Sequence, residues 1–327
     1  MSICIEIRKL EDIPDWTEKV KNSIEGTLFQ YDWYLKIKHV KDVLCAVDGG
    51  KIVCMMPLIK NMSSGESVLN QSTIYVPYGG PVFLKNDMKY RAKKVYNRKV
   101  IQEICVYLQN TYEEVHFSTD VLLTDIVTFI RNGFIPEVRY TTVIDMKEAN
   151  ECNVGEWSNN RRRDLKKAEK GGLTYILDKD FAYFDFVEAV KWDNYMDDVE
   201  EYDAVENASI FMKKAVKEGA GMPFIAMYQG KPIGGVFIAW DHRKAYVLYS
   251  YYTTDRQSEM GVITYLYKQV FEYAKNVLGF HEIDLEGSVL EGVETFNISF
   301  AAQQQIYYNL HWYKDETKFR TTYYDYE

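Results

Sequence analysis

Residues suited to metal or nucleophilic chemistry are scarce in this chain. Its 327 residues include five cysteines and five histidines, and no C-x-x-C pair. That excludes the usual closed zinc sites. Cys4, Cys45, Cys54, Cys105 and Cys152 are odd in number and mostly sit among apolar neighbours. They read as buried thiols of a reducing compartment rather than a disulfide framework. There is no Gly-x-Ser-x-Gly elbow, Walker loop or Gly-x-Gly-x-x-Gly fingerprint, so the common nucleophile and dinucleotide schemes have no footing. No apolar run approaches the roughly 20 residues of a membrane helix. Met1 to Leu10 alternates like a strand and lacks a secretory core. The expected setting is the cytoplasm, without membrane insertion. Positive charge is also short, with 39 Lys+Arg against 48 Asp+Glu and a net charge of −9. Extended nucleic-acid binding, which draws on phosphate neutralisation, is disfavoured.

Tyrosine is abundant, at 27 residues, and its apolar ring with a polar tip suits sugar stacking or a peptide groove. The length suggests about two domains. In the first half, strand patterns at Val43–Val47 and Ile52–Leu58 flank Asp48-Gly49-Gly50, a hairpin signal. A strand at Ile74–Val76 runs into Pro77-Tyr78-Gly79-Gly80-Pro81, and a helix pattern covers Val95–Asn110. The second half repeats this order, with strands at Phe224–Met227, Ile233–Ala239 and Ala245–Tyr252, a helix at Gly261–Val277 and a strand at Ile283–Leu285. The expected fold is α/β with mixed sheets, in two related domains, residues 1–150 and 151–327, joined by the polar run Glu148–Glu156.

Two constellations carry most of the chemistry. Ser158 or Asn159 can cap a helix that Gly171 ends, and on it Arg162, Lys166 and Lys170 share one face beside Arg163 and Lys167. Five cations on adjoining faces suit a phosphate group. Asp284 and Glu286 are two apart at a strand end, so alternation puts both carboxylates on one face. Crowding and burial there would raise one pKa toward the range of a general base; the alternative, which the residues by themselves favour, is a solvent-facing polar strand end. The polar loop Thr253–Gln257 leading into the helix at Gly261 can present backbone N–H groups to a pyrophosphate.

Taken together, Thr73–Phe83, Asn160–Lys170, Gly230–Phe237, Gly279–Ser288 and Gly292–Phe296 resemble the GNAT acyltransferase superfamily, and within it the double-GNAT FemABX-like proteins. The resemblance implies two tandem GNAT-like folds, the N-terminal one a degenerate scaffold, with an acyl donor lying where the sheet splays between Ala245–Tyr252 and Ile283–Leu285. It implies acyl-CoA (acetyl-CoA) as donor, contacted by Tyr251, Tyr252, Thr253 and Gly261, and no metal. Glu286, with Asp284, is the implied base. Tyr31, Trp33, Tyr78, Arg162, Arg163, Lys167 and Phe296 are the implied acceptor-binding residues, for a small or nucleotide-linked amine of the cell envelope. In FemABX relatives the donor is instead an aminoacyl-tRNA and the acceptor a nucleotide-linked peptidoglycan precursor. Those relatives carry Phe-Lys where this chain has Phe296-Asn297, and Phe-Gly-Gly where it has Phe300-Ala301-Ala302. The missing lysine and the acidic balance place acyl-CoA ahead of aminoacyl-tRNA as the expected donor. A third expectation is a non-catalytic pair that binds a nucleotide sugar or a partner.

Overall fold

The computed structural model describes residues 3–59, 67–70, 78–84, 87–146, 150–194, 201–253, 260–287, 291–315 and 317. The fold is α/β with mixed sheets, one small and one large. The chain divides into two compact units, Met1–Arg139 with Ile306–Glu327, and Tyr140–Gln305. The expected division at residue 150 misses the return of the C-terminal strand to the first unit.

In the first unit, β1 (Cys4–Lys9), β2 (Asp42–Asp48), β3 (Lys51–Pro57) and β5 (Val82–Phe83) form an antiparallel sheet in that order. The β2–β3 hairpin turns at Gly49 (φ 58°) and Gly50 (φ 78°). Two successive left-handed residues match the right-handed twist of the strands, and glycine adopts them without a Cβ penalty. Elsewhere in the unit β4 (Val68–Asn70) runs parallel to β6 (Glu114–Ser118), and β6 pairs antiparallel with β13 (Gln303–Tyr313). Two short helices, α1 (Trp16–Lys21) and α2 (Asp32–Ile37), precede β2. The long helix α3 (Tyr90–Thr111) buries Val100, Ile101, Ile104, Cys105 and Leu108. That i, i+4, i+8 stripe meets Val115, Phe117 and Leu310 in one core. Helix α4 (Val127–Arg131) adds Phe129. The expected strand Ile74–Val76 lies outside the described residues.

In the second unit the strand order is β7 (Ile135–Asp145), β12 (Glu282–Asp284), β11 (Ala245–Tyr252), β10 (Lys231–Trp240), β9 (Gly221–Tyr228) and β8 (Thr174–Leu177). Only β11 and β12 pair in parallel; the other neighbours are antiparallel. Helices α5 (Asn159–Lys170), α6 (Phe186–Asn194), α7 (Glu201–Lys217), α8 (Val262–Asn276) and α9 (Glu291–Ile298) complete it. Trp157, Phe271 and Phe300 meet edge-to-face in its core, an arrangement favoured by the ring quadrupoles.

Ala301 holds φ 62°, a left-handed conformation that costs a residue with a Cβ about 1–2 kcal/mol and glycine little. Ala301→Gly is therefore expected to stabilise the protein by about 0.5–1 kcal/mol, after glycine's added unfolded-state entropy. A denaturant midpoint at or below wild type would refute this.

Cys45, Cys54, Cys105 and Cys152 are buried free thiols, whereas Cys4 is exposed. Burial pushes Cys45 up to about 11 and Cys105 to about 12, which leaves both inert as nucleophiles at neutral pH.

Candidate functional site

The second unit is organised around a fork in its sheet. Strand β11 continues for eight residues, yet its parallel register with β12 covers Ala245↔Ile283 and Tyr246↔Asp284 alone. From Val247 to Tyr252 the two strands are no longer paired. On its other side β11 stays bonded to β10 throughout, with one irregularity: Phe237 faces Tyr249 and Ile238 faces Val247. Leu248 has no counterpart in that register. Such a bulge re-aims backbone groups locally and is over-represented next to active sites.

Asp284 stands at the vertex of this fork. Its side chain is fully buried, and its carboxylate accepts from Lys244 Nζ at 2.5 Å, in an ion pair whose lysine is itself 4% exposed. It also accepts from the Thr141 hydroxyl and from the Glu286 N–H at 2.9 Å. Lys244 lies over the Tyr246 ring at 5.1 Å from its centroid. Asp241 holds the turn before β11 by accepting from the Arg243 and Lys244 N–H groups and the Tyr246 hydroxyl. A buried carboxylate needs this density of donors, because desolvation of an unpaired charge costs several kcal/mol.

Strand alternation does not extend to Glu286. The strand ends at Asp284, and Glu286 takes φ 59°, so the expectation that both carboxylates share one face of a strand is corrected. Asp284 is enclosed, whereas Glu286 is half-buried in a separate turn. That turn is held tightly: the Glu286 carbonyl accepts from the Thr142 N–H (3.2 Å) and hydroxyl (2.7 Å). Asn297 Nδ2 donates to Thr142 Oγ1 at 3.0 Å and contacts the Leu285 and Glu286 carbonyls at 3.4 Å. The residue replacing the FemABX-type lysine is therefore a buried brace of the turn. Gly287 follows, where any Cβ would fall on the Tyr140 carbonyl oxygen.

The basic helix forms as expected. Ser158 caps α5 by accepting from the Arg161 N–H, and Gly171 is its C-cap. It packs along the start of α8, where a Cβ at Gly261 (φ 65°) would meet the Asp164 carbonyl at 2.5 Å. Arg161 bonds Thr264 Oγ1 at 2.9 Å and lies over the Phe296 and Phe300 rings, 4.9 and 5.8 Å from their centroids. Arg162 donates to the Gly155 carbonyl and Asn159, and Arg163 donates to Asn160. Lys166, Lys167 and Lys170 are exposed.

The expected donor contacts diverge. Tyr251 is buried against Gly235, and its hydroxyl accepts from the Asp185 N–H at 2.8 Å. Tyr252 is half-buried, and Thr253 is exposed with its N–H on the Ile233 carbonyl. Residues 254–259, the rest of the expected pyrophosphate loop, lie outside the described residues. The expected acceptor aromatics Tyr31, Trp33 and Tyr78 belong to the first unit and are buried there, Tyr78 edge-on to Phe29 and Tyr307. Rings so enclosed offer little face for stacking. Phe296 is engaged by Arg161.

Sequence reading passed over Lys244, Thr141, Thr142 and Arg161. Lys244 follows Asp241-His242-Arg243 in the chain, and nothing local links it to Asp284, 40 residues on. It also passed over a histidine pair in the first unit, where His116 Nδ1 and His311 Nδ1 lie 2.9 Å apart. Burial, then the neighbouring His116, pushes His311 down to about 4. Among the described residues, no group of three or more His, Cys, Asp or Glu side chains is placed to hold a metal.

A family model described as an acetyltransferase (GNAT) domain matches residues 157–296. No curated protein matches the sequence. Among solved structures, FemX superposes with a TM-score of 0.65 at 12% identity, covering 97% of this chain and 99% of that one. The C-terminal domain of a putative lysylphosphatidylglycerol synthetase from Agrobacterium fabrum gives 0.56 at 10% identity, with 92% and 93% covered. A tandem GNAT protein from the clavulanic acid biosynthesis pathway gives 0.54 at 9% identity, with 95% and 98% covered. The chain thus has the GNAT acetyltransferase fold, related at low identity to FemX and to other proteins of that fold.

Proposed function

We propose that this protein is an N-acyltransferase of cell-envelope synthesis that moves an aminoacyl group from an ester donor, an aminoacyl-tRNA, to an amine of a precursor. The observation that carries the transferase reading is the fork between β11 and β12, with an unmatched residue, Leu248, on one arm and a braced acidic turn at its vertex. The choice of an aminoacyl donor follows from end-to-end likeness to FemX and to a lysylphosphatidylglycerol synthetase domain, together with the FemABX resemblance of the sequence. It reverses the preference drawn from composition, since Asn297 braces the turn and a local basic helix can meet phosphates despite a net charge of −9.

In this reading the acceptor amine, once deprotonated, attacks the acyl carbonyl in the fork. A C–N bond forms, the ester C–O bond breaks, and the ribose hydroxyl leaves with a proton. Backbone N–H groups at the Leu248 bulge polarise the carbonyl, where fixed dipoles need no reorganisation. Glu286 takes the amine proton directly or through water. Asp284 positions Glu286 through its N–H. Arg162, Arg163 and Lys167 meet phosphates, and Phe296 with Tyr252, Thr253 and Gly261 border the donor. Tyr31, Trp33, Tyr78 and Tyr251 act by packing. The two units derive from one duplicated module: each has a hairpin with two left-handed residues, Gly49-Gly50 and Gln229-Gly230, between its strands.

A second reading keeps acetyl-CoA as donor, favoured by the tandem GNAT relative described in its form without AcCoA. Radiolabelled aminoacyl-tRNA and acetyl-CoA, each incubated with the protein and nucleotide-linked muropeptide acceptors, separate the two. Transfer from aminoacyl-tRNA is expected. Transfer from acetyl-CoA alone selects the second reading, and donor binding without transfer in either arm leaves a non-catalytic pair.

A further inference from the structure

Away from the fork, the first unit carries a surface whose composition contrasts with the rest of the chain. Lys89, Arg91, Lys93, Lys94, Arg98 and Lys99 place six cations in eleven residues of a protein with net charge −9. They begin α3, which packs against α4 through Arg98 on Asp125 and Gln102 on Asn132. Lys94 also reaches Asp125, at 3.6 Å.

Large apolar side chains stand out of the same two helices and of the turn before α4. Tyr90 is 74% exposed, Val95 50%, and Leu122, Val127 and Ile130 between 39% and 47%. Arg91, Val95 and Lys99 recur every four residues on one exposed face of α3. A shallow pocket of about 480 Å³ lies there, lined by Met88, Lys89, Arg91, Val95 and Lys99 among others. Burial of the opposite stripe fixes this face outward, so the exposure is imposed by the helix's own core contacts.

Solvent-facing tyrosine and valine cost little singly, but beside Lys89, Arg91, Lys94 and Lys99 on one helix they mark an interaction surface. We propose that this α3–α4 face docks the protein on an anionic membrane surface, the cations meeting lipid phosphates while Tyr90, Val95 and the α4 side chains enter the headgroup boundary. Charge complementarity selects this occupant: Lys89, Arg91 and Lys99 suit anionic headgroups, and the exposed Tyr90 and Val95 beside them suit the boundary beneath. Interfacial helices combine both features. Asp125 pairs with Lys94 and Arg98, Glu25 acts on Lys93, and Asp87 and Glu103 are near in sequence, so Lys89, Arg91 and Lys99 carry most of the attraction. The chain's overall negative charge is screened within about 10 Å at 0.1 M salt, so the local patch governs adsorption.

Co-sedimentation of the full chain with sucrose-loaded vesicles tests this. At 0.1 M NaCl, partitioning onto 7:3 phosphatidylcholine:phosphatidylglycerol vesicles is expected to exceed that onto phosphatidylcholine alone by at least about 25-fold, about five-fold for each of Arg91 and Lys99. The pair Arg91→Glu with Lys99→Glu should lower it by roughly 25-fold, about five-fold per lost cation. Tyr90→Ser with Val95→Ser should lower it about ten-fold while leaving the charge intact. All four positions are exposed, and an unchanged melting temperature checks each fold. Equal binding to both vesicle types, or wild-type partitioning by either double variant, overturns the proposal. So does binding of bulk tRNA, abolished by the glutamate pair, in a protein that ignores the anionic vesicles.

Discussion

Replacing Lys244 with methionine is expected to destabilise the protein by about 3–5 kcal/mol, the usual cost of breaking one partner out of a buried ion pair. The size of the effect comes from what stays behind. Asp284 has no exposure, so its charge cannot be rescued by water, and the Thr141 hydroxyl and Glu286 N–H supply two donors but no counter-charge. Converting both partners, Lys244→Met with Asp284→Leu, is expected to recover most of the loss, since it is the stranded charge and not the missing pair that is costly. Urea midpoints of the single and double variants measure this. A single variant within about 1 kcal/mol of wild type would show that Asp284 is not charged in the folded protein. The double variant should remain inactive even where it is stable, because the Glu286 turn loses its acceptor at the fork.

Glu286→Gln is expected to lower turnover by about 10²–10⁴-fold, the range for losing a general base, with little change in stability. Glutamine keeps the volume of the side chain, and the turn is held by backbone atoms, namely the Glu286 N–H on Asp284 and its carbonyl on Thr142. The backbone argument strengthens the assignment. Position 286 sits at φ 59°, where a non-glycine residue is strained, and such residues cluster at functional sites. Single-turnover rates with bound aminoacyl-tRNA or acetyl-CoA distinguish the outcomes. Full turnover by a folded, donor-binding Glu286→Gln protein removes Glu286 as the base.

Much of the local structure was legible in the residues. Asp48-Gly49-Gly50 announced its hairpin because two consecutive left-handed residues admit little else. Ser158 announced the start of α5, since a hydroxyl at that position satisfies an orphaned helical N–H. The strands β9, β10 and β11 were equally open, as short apolar runs of strand length. The polar character of Asp284 and Glu286 was visible too, but their geometry was read from a strand that in fact ends at Asp284. Alternation then ceases to apply, and two carboxylates expected side by side acquire different surroundings.

The basic start of α3 was likewise present in the letters, as were the cations of α5. What distinguishes α3 is the exposed apolar company of Tyr90, Val95, Leu122, Val127 and Ile130. Hydrophobic residues of a helix look alike in sequence whether they face a core or solvent, and packing decides between the two.

From the sequence alone came the hairpins, the capped basic helix, the α/β class and the GNAT resemblance, all of which depend on neighbours within a few residues, where backbone sterics and periodicity act. The tertiary structure alone decided that Lys244 meets Asp284, that Asn297 braces the turn through Thr142, that His116 faces His311, and that β13 closes on β6. Those pairings join residues 40 to 199 positions apart. They are selected by burial and charge compensation across the folded chain, where no local pattern can encode them.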